Sequence, residues 1–228
     1  MFFSILPKWC LNNTMLQNMY RRLPGYFRLR RKSLIPQWKQ QILDWEAAGR
    51  PAPPPPPIKH NALLDTAKFG SKIFIETGTY MGDTLEAMLP HFEQLYSIEI
   101  YKPLYKLNRR RFNKNQKVTL VNGDSAEKLK DIVPFLDKPA IFWLDGHYSG
   151  QGTGKGIKDT PIYEELTIIF KMACTDFVIL IDDARCFGNS RYPAYPTIPE
   201  LRAFVEANSP RPLLFFVKND IIHLIPKR

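Results

Sequence analysis

Apolar positions change rhythm along this chain, and each rhythm implies a different element. From about residue 59 onward, short runs rich in β-branched and aromatic residues alternate with stretches whose apolar positions recur every three or four residues. The runs at 72–76, 95–99, 118–121, 140–144 and 177–181 predict strands. The last of them, Phe177-Val178-Ile179-Leu180-Ile181, is uniformly apolar, as expected of a central strand covered on both faces. The stretches between predict helices at about 60–69, 82–90, 102–112 and 125–135. A further helix starts at Thr160-Pro161, with Ile162, Leu166, Ile169 and Phe170 at i, i+4, i+7 and i+8. The end differs: a helix over 198–207 precedes two apolar runs, 213–217 and 221–225, around Lys218-Asn219-Asp220. That pattern predicts a hairpin, and so an antiparallel last strand. Five strand-helix units closed by a hairpin predict an α/β fold, a doubly wound and mostly parallel sheet.

Upstream the pattern breaks. Residues 36–48 predict a short helix with Trp38, Ile42 and Trp45 on one face. Pro51 and the run 53–57 predict an extended polyproline spacer. The chain therefore divides into a basic, aromatic extension with a short helix (1–50), a spacer (51–58) and one α/β domain (59–228). No internal repeat is visible.

Charge sharpens this division. The net charge is +10, but residues 1–43 hold eight Lys or Arg and no acid, so the rest of the chain carries only +2. A nearly neutral body argues against a nucleic-acid cleft. In residues 1–34, Arg21, Arg22, Arg28, Arg30, Arg31 and Lys32 interleave with Leu23, Tyr26, Phe27 and Leu29. That mixture predicts docking on an anionic surface, the inner face of a membrane. Cys10, Cys174 and Cys186 are too few and too scattered for a disulfide framework or a zinc site. No run approaches the roughly 18 apolar residues of a membrane span. The expectation is a cytoplasmic protein, peripheral on a membrane at most.

In an open parallel sheet, ligands sit beyond the carboxyl ends of the strands. The first strand runs into Glu76-Thr77-Gly78-Thr79-Tyr80-Met81-Gly82, whose glycines permit a sharp turn and a close backbone approach in front of a helix. The second ends in Glu99, suited to accept hydrogen bonds from ribose hydroxyls. The third ends in Gly123-Asp124-Ser125, where Asp124 and Glu127 also form a capping-box pattern. The fourth runs into Asp145-Gly146-His147, and the fifth into Asp182-Asp183. These two ends share one rim, and crowded carboxylates repel unless a cation neutralises them. A hard divalent ion such as Mg²⁺ suits oxygen ligands. Between them, residues 150–156 hold four glycines and predict a mobile lid. That segment does not match a P-loop.

The E-x-G-x-x-x-G loop and the order of these strand ends resemble the class I methyltransferases, whose sheet is Rossmann-like. The resemblance implies S-adenosylmethionine as cofactor. Glu76, Thr77, Gly78, Thr79 and Gly82 would serve its methionine part, Glu99 its ribose, and Asp124 and Ser125 its adenine. Asp145, Asp182 and Asp183 stand where catechol-type and macrocin-type O-methyltransferases place metal ligands. Two residues after the first ligand the sugar enzymes have an aspartate taken as general base. Here it is His147, whose ordinary pKa of about 6.5 suits proton acceptance. The blocks ETGTY, LDGHYSG and LIDDAR also resemble a largely uncharacterised bacterial methyltransferase-like family over about 51–226. Together these imply divalent-metal-assisted methyl transfer to a hydroxyl of a saccharide or other polyhydroxylated molecule. Two alternatives stay open: metal-independent transfer to an amine, and a non-catalytic interaction module.

Overall fold

The computed structural model describes residues 26–146, 160–172 and 176–227, with side chains from residue 37. Its centre is one seven-stranded sheet: β1 (Ile73–Thr77), β2 (Gln94–Glu99), β3 (Val118–Asn122), β4 (Ala140–Leu144), β5 (Phe177–Ile181), β6 (Leu213–Lys218) and β7 (Ile221–Pro226). The spatial order is β3-β2-β1-β4-β5-β7-β6, parallel from β3 to β5, with β7 antiparallel to both β5 and β6. The chain winds outward from β1 in one direction and returns to β4 to wind in the other, as the doubly wound pattern predicted.

Period-two alternation sends consecutive strand residues to opposite faces. Ile73, Ile75, Phe142, Leu144, Ile179 and Ile181 belong to one buried cluster, while Phe74, Ile141, Trp143, Val178 and Leu180 belong to the other. Among the described residues, the α-helices are α1 (Tyr26–Ala47), α2 (Pro56–Ala67), α3 (Asp83–Met88), α4 (Lys102–Phe112), α5 (Ser125–Ile132), α6 (Ile162–Ile169) and α7 (Ile198–Asn208). Leu63, Leu85, Met88 and Phe112 of α2, α3 and α4 cover the second cluster; Leu129, Leu166 and Leu201 of α5, α6 and α7 cover the first. The closing hairpin turns on Asn219 and Asp220, both at positive φ (52° and 62°), the backbone a two-residue turn of this twist requires.

Two elements differ from expectation, and both involve proline. The helix predicted over 36–48 is longer: α1 starts at Tyr26 and continues across Pro36, although an interior proline removes a hydrogen bond. The run taken as extended spacer gives way at Pro56 to α2. Pro56 and Pro57 fill its first turn, where missing N–H groups leave nothing unsatisfied. The face of α1 read from the sequence is the one turned inward. Trp45 is buried and its Nε1 donates to the Pro51 carbonyl at 2.6 Å, and the Trp38 ring meets His60 of α2 edge-on at 5.7 Å. No helix among the described residues is long and apolar enough to cross a membrane. Residues 1–25, with much of the basic segment expected to dock on an anionic surface, lie outside the described residues.

Candidate functional site

Strand register sets the rim. Thr77 of β1 lies level with Ile98 of β2 and Leu144 of β4, and Leu144 with Ile181 of β5. The next residues are therefore Gly78, Glu99, Asp145 and Asp182, a row at one end of four neighbouring strands.

On the β1 side, the loop packs tightly against β4. The Asp145 N–H donates to the Thr77 carbonyl (3.1 Å) and hydroxyl (3.2 Å). Gly78 has φ +86°, and a Cβ there would collide with the Asp145 carbonyl. Gly82 has φ +75° and faces Asn108 of α4 just as closely. A Cβ on Gly146 would lie 2.9 Å from the Thr77 hydroxyl and 3.4 Å from that of Ser125. Thus Thr77, Gly78, Ser125, Asp145 and Gly146 meet in one small region. Helix α4 pins the loop from behind: Asn108 Nδ2 donates to the Tyr80 carbonyl at 2.6 Å, and Arg111 donates to the Met81 carbonyl while pairing with Asp83 and Glu86. Neither residue stood out in the sequence, where Arg111 is the last of three consecutive arginines.

Glu76 sits beneath this loop, 1% exposed. Ser97 Oγ donates to its Oε1 at 2.6 Å and lies 2.5 Å from the Thr79 hydroxyl. Burial pushes the Glu76 carboxyl up to about 8 against the pull of that hydrogen bond, so the group is protonated at neutrality. Glu99 is buried as well, and its oxygens accept the Tyr80 and Tyr101 N–H groups, each at 2.8 Å. Burial raises its pKa, and the two amides oppose the shift. Asn122 Nδ2 donates to the Glu99 carbonyl at 2.7 Å, tying β3 to the same corner. Asp124 caps α5 by accepting the Ala126 N–H at 3.0 Å, the capping half of its predicted role; Glu127 pairs with Lys130 at 2.8 Å rather than completing a capping box.

On the β4–β5 side, Asp145 follows β4 and Asp182 and Asp183 follow the neighbouring β5, and the structure adds a partner that went unnoticed. Lys59, in the first turns of α2, hydrogen-bonds Asp182 Oδ2 and lies 3.7 Å from Asp183 Oδ1. Asp182 is 1% exposed, and its other oxygen accepts the Asp183 N–H at 2.8 Å. Burial works to lower the Lys59 pKa, but the combined fields of Asp182, Asp145 and Asp183 raise it, keeping the ammonium charged. For Asp182, burial pushes the carboxyl upward, Asp183 adds to this, and Lys59 opposes it. Asp183, at φ +58°, also accepts from Arg185 at 2.6 Å. Arg185 reaches Asp220 in the β6–β7 turn too, and Asp220 accepts the Arg185 N–H at 2.7 Å. One sequence signal pointed to Lys59: it falls at i, i+4 and i+7 with Leu63 and Thr66, the buried stripe of α2.

No family model and no curated protein matches this chain. Solved structures do. A methyltransferase of Podospora anserina, in its SAH-bound form, superposes over 99% of both chains with a TM-score of 0.54 at 15% identity. An O-methyltransferase from Bacillus cereus in complex with SAH covers 82% of this chain and 90% of its own, with a TM-score of 0.53 at 17% identity. The O-methyltransferase TomG of Streptomyces achromogenes, involved in tomaymycin synthesis and in complex with SAM, gives 0.54 at 15% identity over 83% and 89%. The fold is the methyltransferase fold.

The β4–β5 side of the rim can be tested against the divalent metal the sequence led us to expect. Among the described residues, no group of His, Cys, Asp and Glu is arranged to hold a metal ion. A hard divalent cation needs about six oxygen ligands at 2.0–2.6 Å. Here the Lys59 ammonium bonds Asp182, and the Arg185 guanidinium bonds Asp183 and Asp220. This donor set fits side-chain cations, not a resident divalent ion. His147 and the glycine-rich lid at 150–156 lie outside the described residues. A cavity of about 350 Å³ opens at the opposite end of the methyltransferase sheet, among Ser71, Pro139, Asp176, Phe177 and Arg211, away from this rim. Its Arg211 is committed to Asp176 (2.8 Å) and the Phe177 carbonyl (2.7 Å).

Proposed function

We propose that the protein is an S-adenosylmethionine-dependent O-methyltransferase. The observation that carries this reading is the register that gathers Gly78, Glu99, Ser125, Asp145 and Gly146 at the carboxyl rim of a β3-β2-β1-β4-β5-β7-β6 sheet. Support comes from neighbours of the same fold described in complex with SAH or SAM. In this reading, the loop from Thr77 to Gly82, braced by Glu76 beneath, lies against the methionine part of the cofactor. Each Glu99 oxygen already accepts one backbone N–H and retains a lone pair for a ribose hydroxyl. Asp124 and Ser125 flank the adenine.

The acceptor is a hydroxyl of a saccharide or similar polyhydroxylated molecule, since carboxylates on the β4–β5 side can orient several hydroxyls by accepting their hydrogen bonds. The methyl group passes from sulfonium to the acceptor oxygen, and His147 takes the proton that oxygen gives up. Transfer discharges the sulfonium, so alignment and exclusion of water supply most of the rate. Metal assistance forms no part of this reading, because Lys59 and Arg185 already compensate the acids.

Isothermal titration of the full chain with S-adenosylmethionine, in chelator, tests the reading. A saturable, one-to-one isotherm is expected. Its absence over the millimolar range, about 4 kcal/mol of binding free energy, sinks the proposal.

A further inference from the structure

We propose that Lys59 is the built-in cation of the acceptor half, standing where metal-assisted methyl transfer has a divalent ion; this rests on the methyltransferase reading above. Asp145, Asp182 and Asp183 come from two adjacent strand ends and would repel one another if left alone. Lys59 hydrogen-bonds Asp182 directly and lies 3.7 Å from Asp183 Oδ1, and the field of Asp145 adds to the upward pull on its pKa. Its side chain is 21% exposed while that of Asp182 is 1% exposed, so the ammonium forms the solvent-facing side of the pair. Lys59 pairs with two acids at once, at the strand ends where open parallel sheets place ligands.

Delivery of the lysine is specific. It rides on α2, which packs against α3 and β4 through Leu63, and α1 packs on α2 through Trp38 and His60. The N-terminal helices therefore have a chemical consequence: they position a fixed positive charge beside the acceptor. That charge keeps Asp182 hydrogen-bonded in place and lowers the energy of an acceptor oxygen as it loses its proton, without a dissociable ion. Lys59 is accordingly a charge-positioning residue, acting through the carboxylates.

The test uses Mn²⁺ as a probe, titrated into chelator-treated, dialysed full-length protein and followed by the loss of its free-ion electron paramagnetic resonance signal. Wild-type protein should show no saturable site at these carboxylates. Lys59→Ala should gain one, at least about tenfold tighter than any residual wild-type binding. Adding Asp182→Asn to Lys59→Ala should abolish it, and Lys59→Arg should stay without it. A lysine that only stabilised the fold would not create an ion site when removed. Tight Mn²⁺ binding by wild type that Asp182→Asn removes overturns the proposal, as does a folded Lys59→Ala that gains none. If Lys59→Ala does not fold, the wild-type and Asp182→Asn titrations decide by themselves. Parallel titration with S-adenosylmethionine separates the two readings: failure of wild type to bind it counts against the methyltransferase assignment and leaves the Mn²⁺ result standing.

Discussion

The two halves of the rim hold their carboxylates by different means. Glu99, at the end of β2, is held by backbone N–H groups of Tyr101, two residues on, and of Tyr80, nineteen residues back across one strand-helix unit. Asp182, at the end of β5, accepts one backbone N–H, from Asp183, but its other oxygen is held by the side chain of Lys59, 123 positions away. A backbone N–H is present at every residue except proline, so a turn can supply the donor without calling for a particular side chain. An ion pair needs one particular residue carried to one place by the packing of a distant helix. The Glu99 carboxylate is thus held by amides that nearby turns supply, and Asp182 by one such amide and one distant side chain.

The largest effect expected from breaking this contrast is at Asp182. Asp182→Asn strips a buried pair of one partner, a change that costs about 3 kcal/mol, the low end for such losses because Asp183 and Asp145 remain near the ammonium. Urea denaturation of the variant measures it. A shift below about 0.5 kcal/mol, the scale of surface substitutions, would show that the pair contributes nothing to the fold.

On the other half, Glu99→Ala should weaken S-adenosylmethionine binding by about 1.5–3 kcal/mol, roughly ten- to a hundredfold, through lost hydrogen bonds to a charged acceptor. Calorimetry on variant protein with an intact melting transition reads this directly. Unchanged affinity removes Glu99 from the site.

Beneath the loop, Glu76 gives a pH signature. Unfolded, its carboxyl ionises near the ordinary 4.5; folded, it stays protonated up to about 8. Between those values the folded protein holds the extra proton. This contribution to stability is complete below pH 4.5 and is lost as pH rises towards 8, with a slope of about 1.4 kcal/mol per pH unit for one whole proton. Glu76→Gln should flatten that part of the profile in denaturation series at several pH values. Parallel profiles for variant and wild type would place the titration elsewhere.

The smallest effect concerns how α1 reaches the acceptor side. Trp38→Ala removes the edge-on contact with His60, worth about 0.5–1.5 kcal/mol beyond area burial. A matching fall in the urea midpoint supports docking of α1 on α2. No change would detach the extension from the positioning of Lys59.

Much of this architecture could be read from single residues. The alternating and uniformly apolar runs located the strands of the parallel sheet to within a residue or two, because burial on one or both faces dictates which residues a strand can carry. The hairpin was equally legible, since Asn219 and Asp220 tolerate the positive φ its turn needs. Helix ends near prolines were not. Pro56 and Pro57 break a helix interior but suit a first turn, and which applies depends on where the helix packs. At the site, Gly78, Glu99, Asp145 and Asp182 were found from their positions after strands. Asn108, Arg111 and Lys59 were missed because their partners lie on other elements.

By itself, then, the sequence determined the α/β fold, the carboxyl rim of its sheet and the acids on that rim, because strand periodicity and turn residues act over a few neighbouring positions. Only the tertiary structure decided that Glu76 holds its proton beneath the loop and that an ammonium pairs with Asp182 after β5. Both depend on desolvation and on charges from distant parts of the chain, and no local pattern encodes the packing that brings them together.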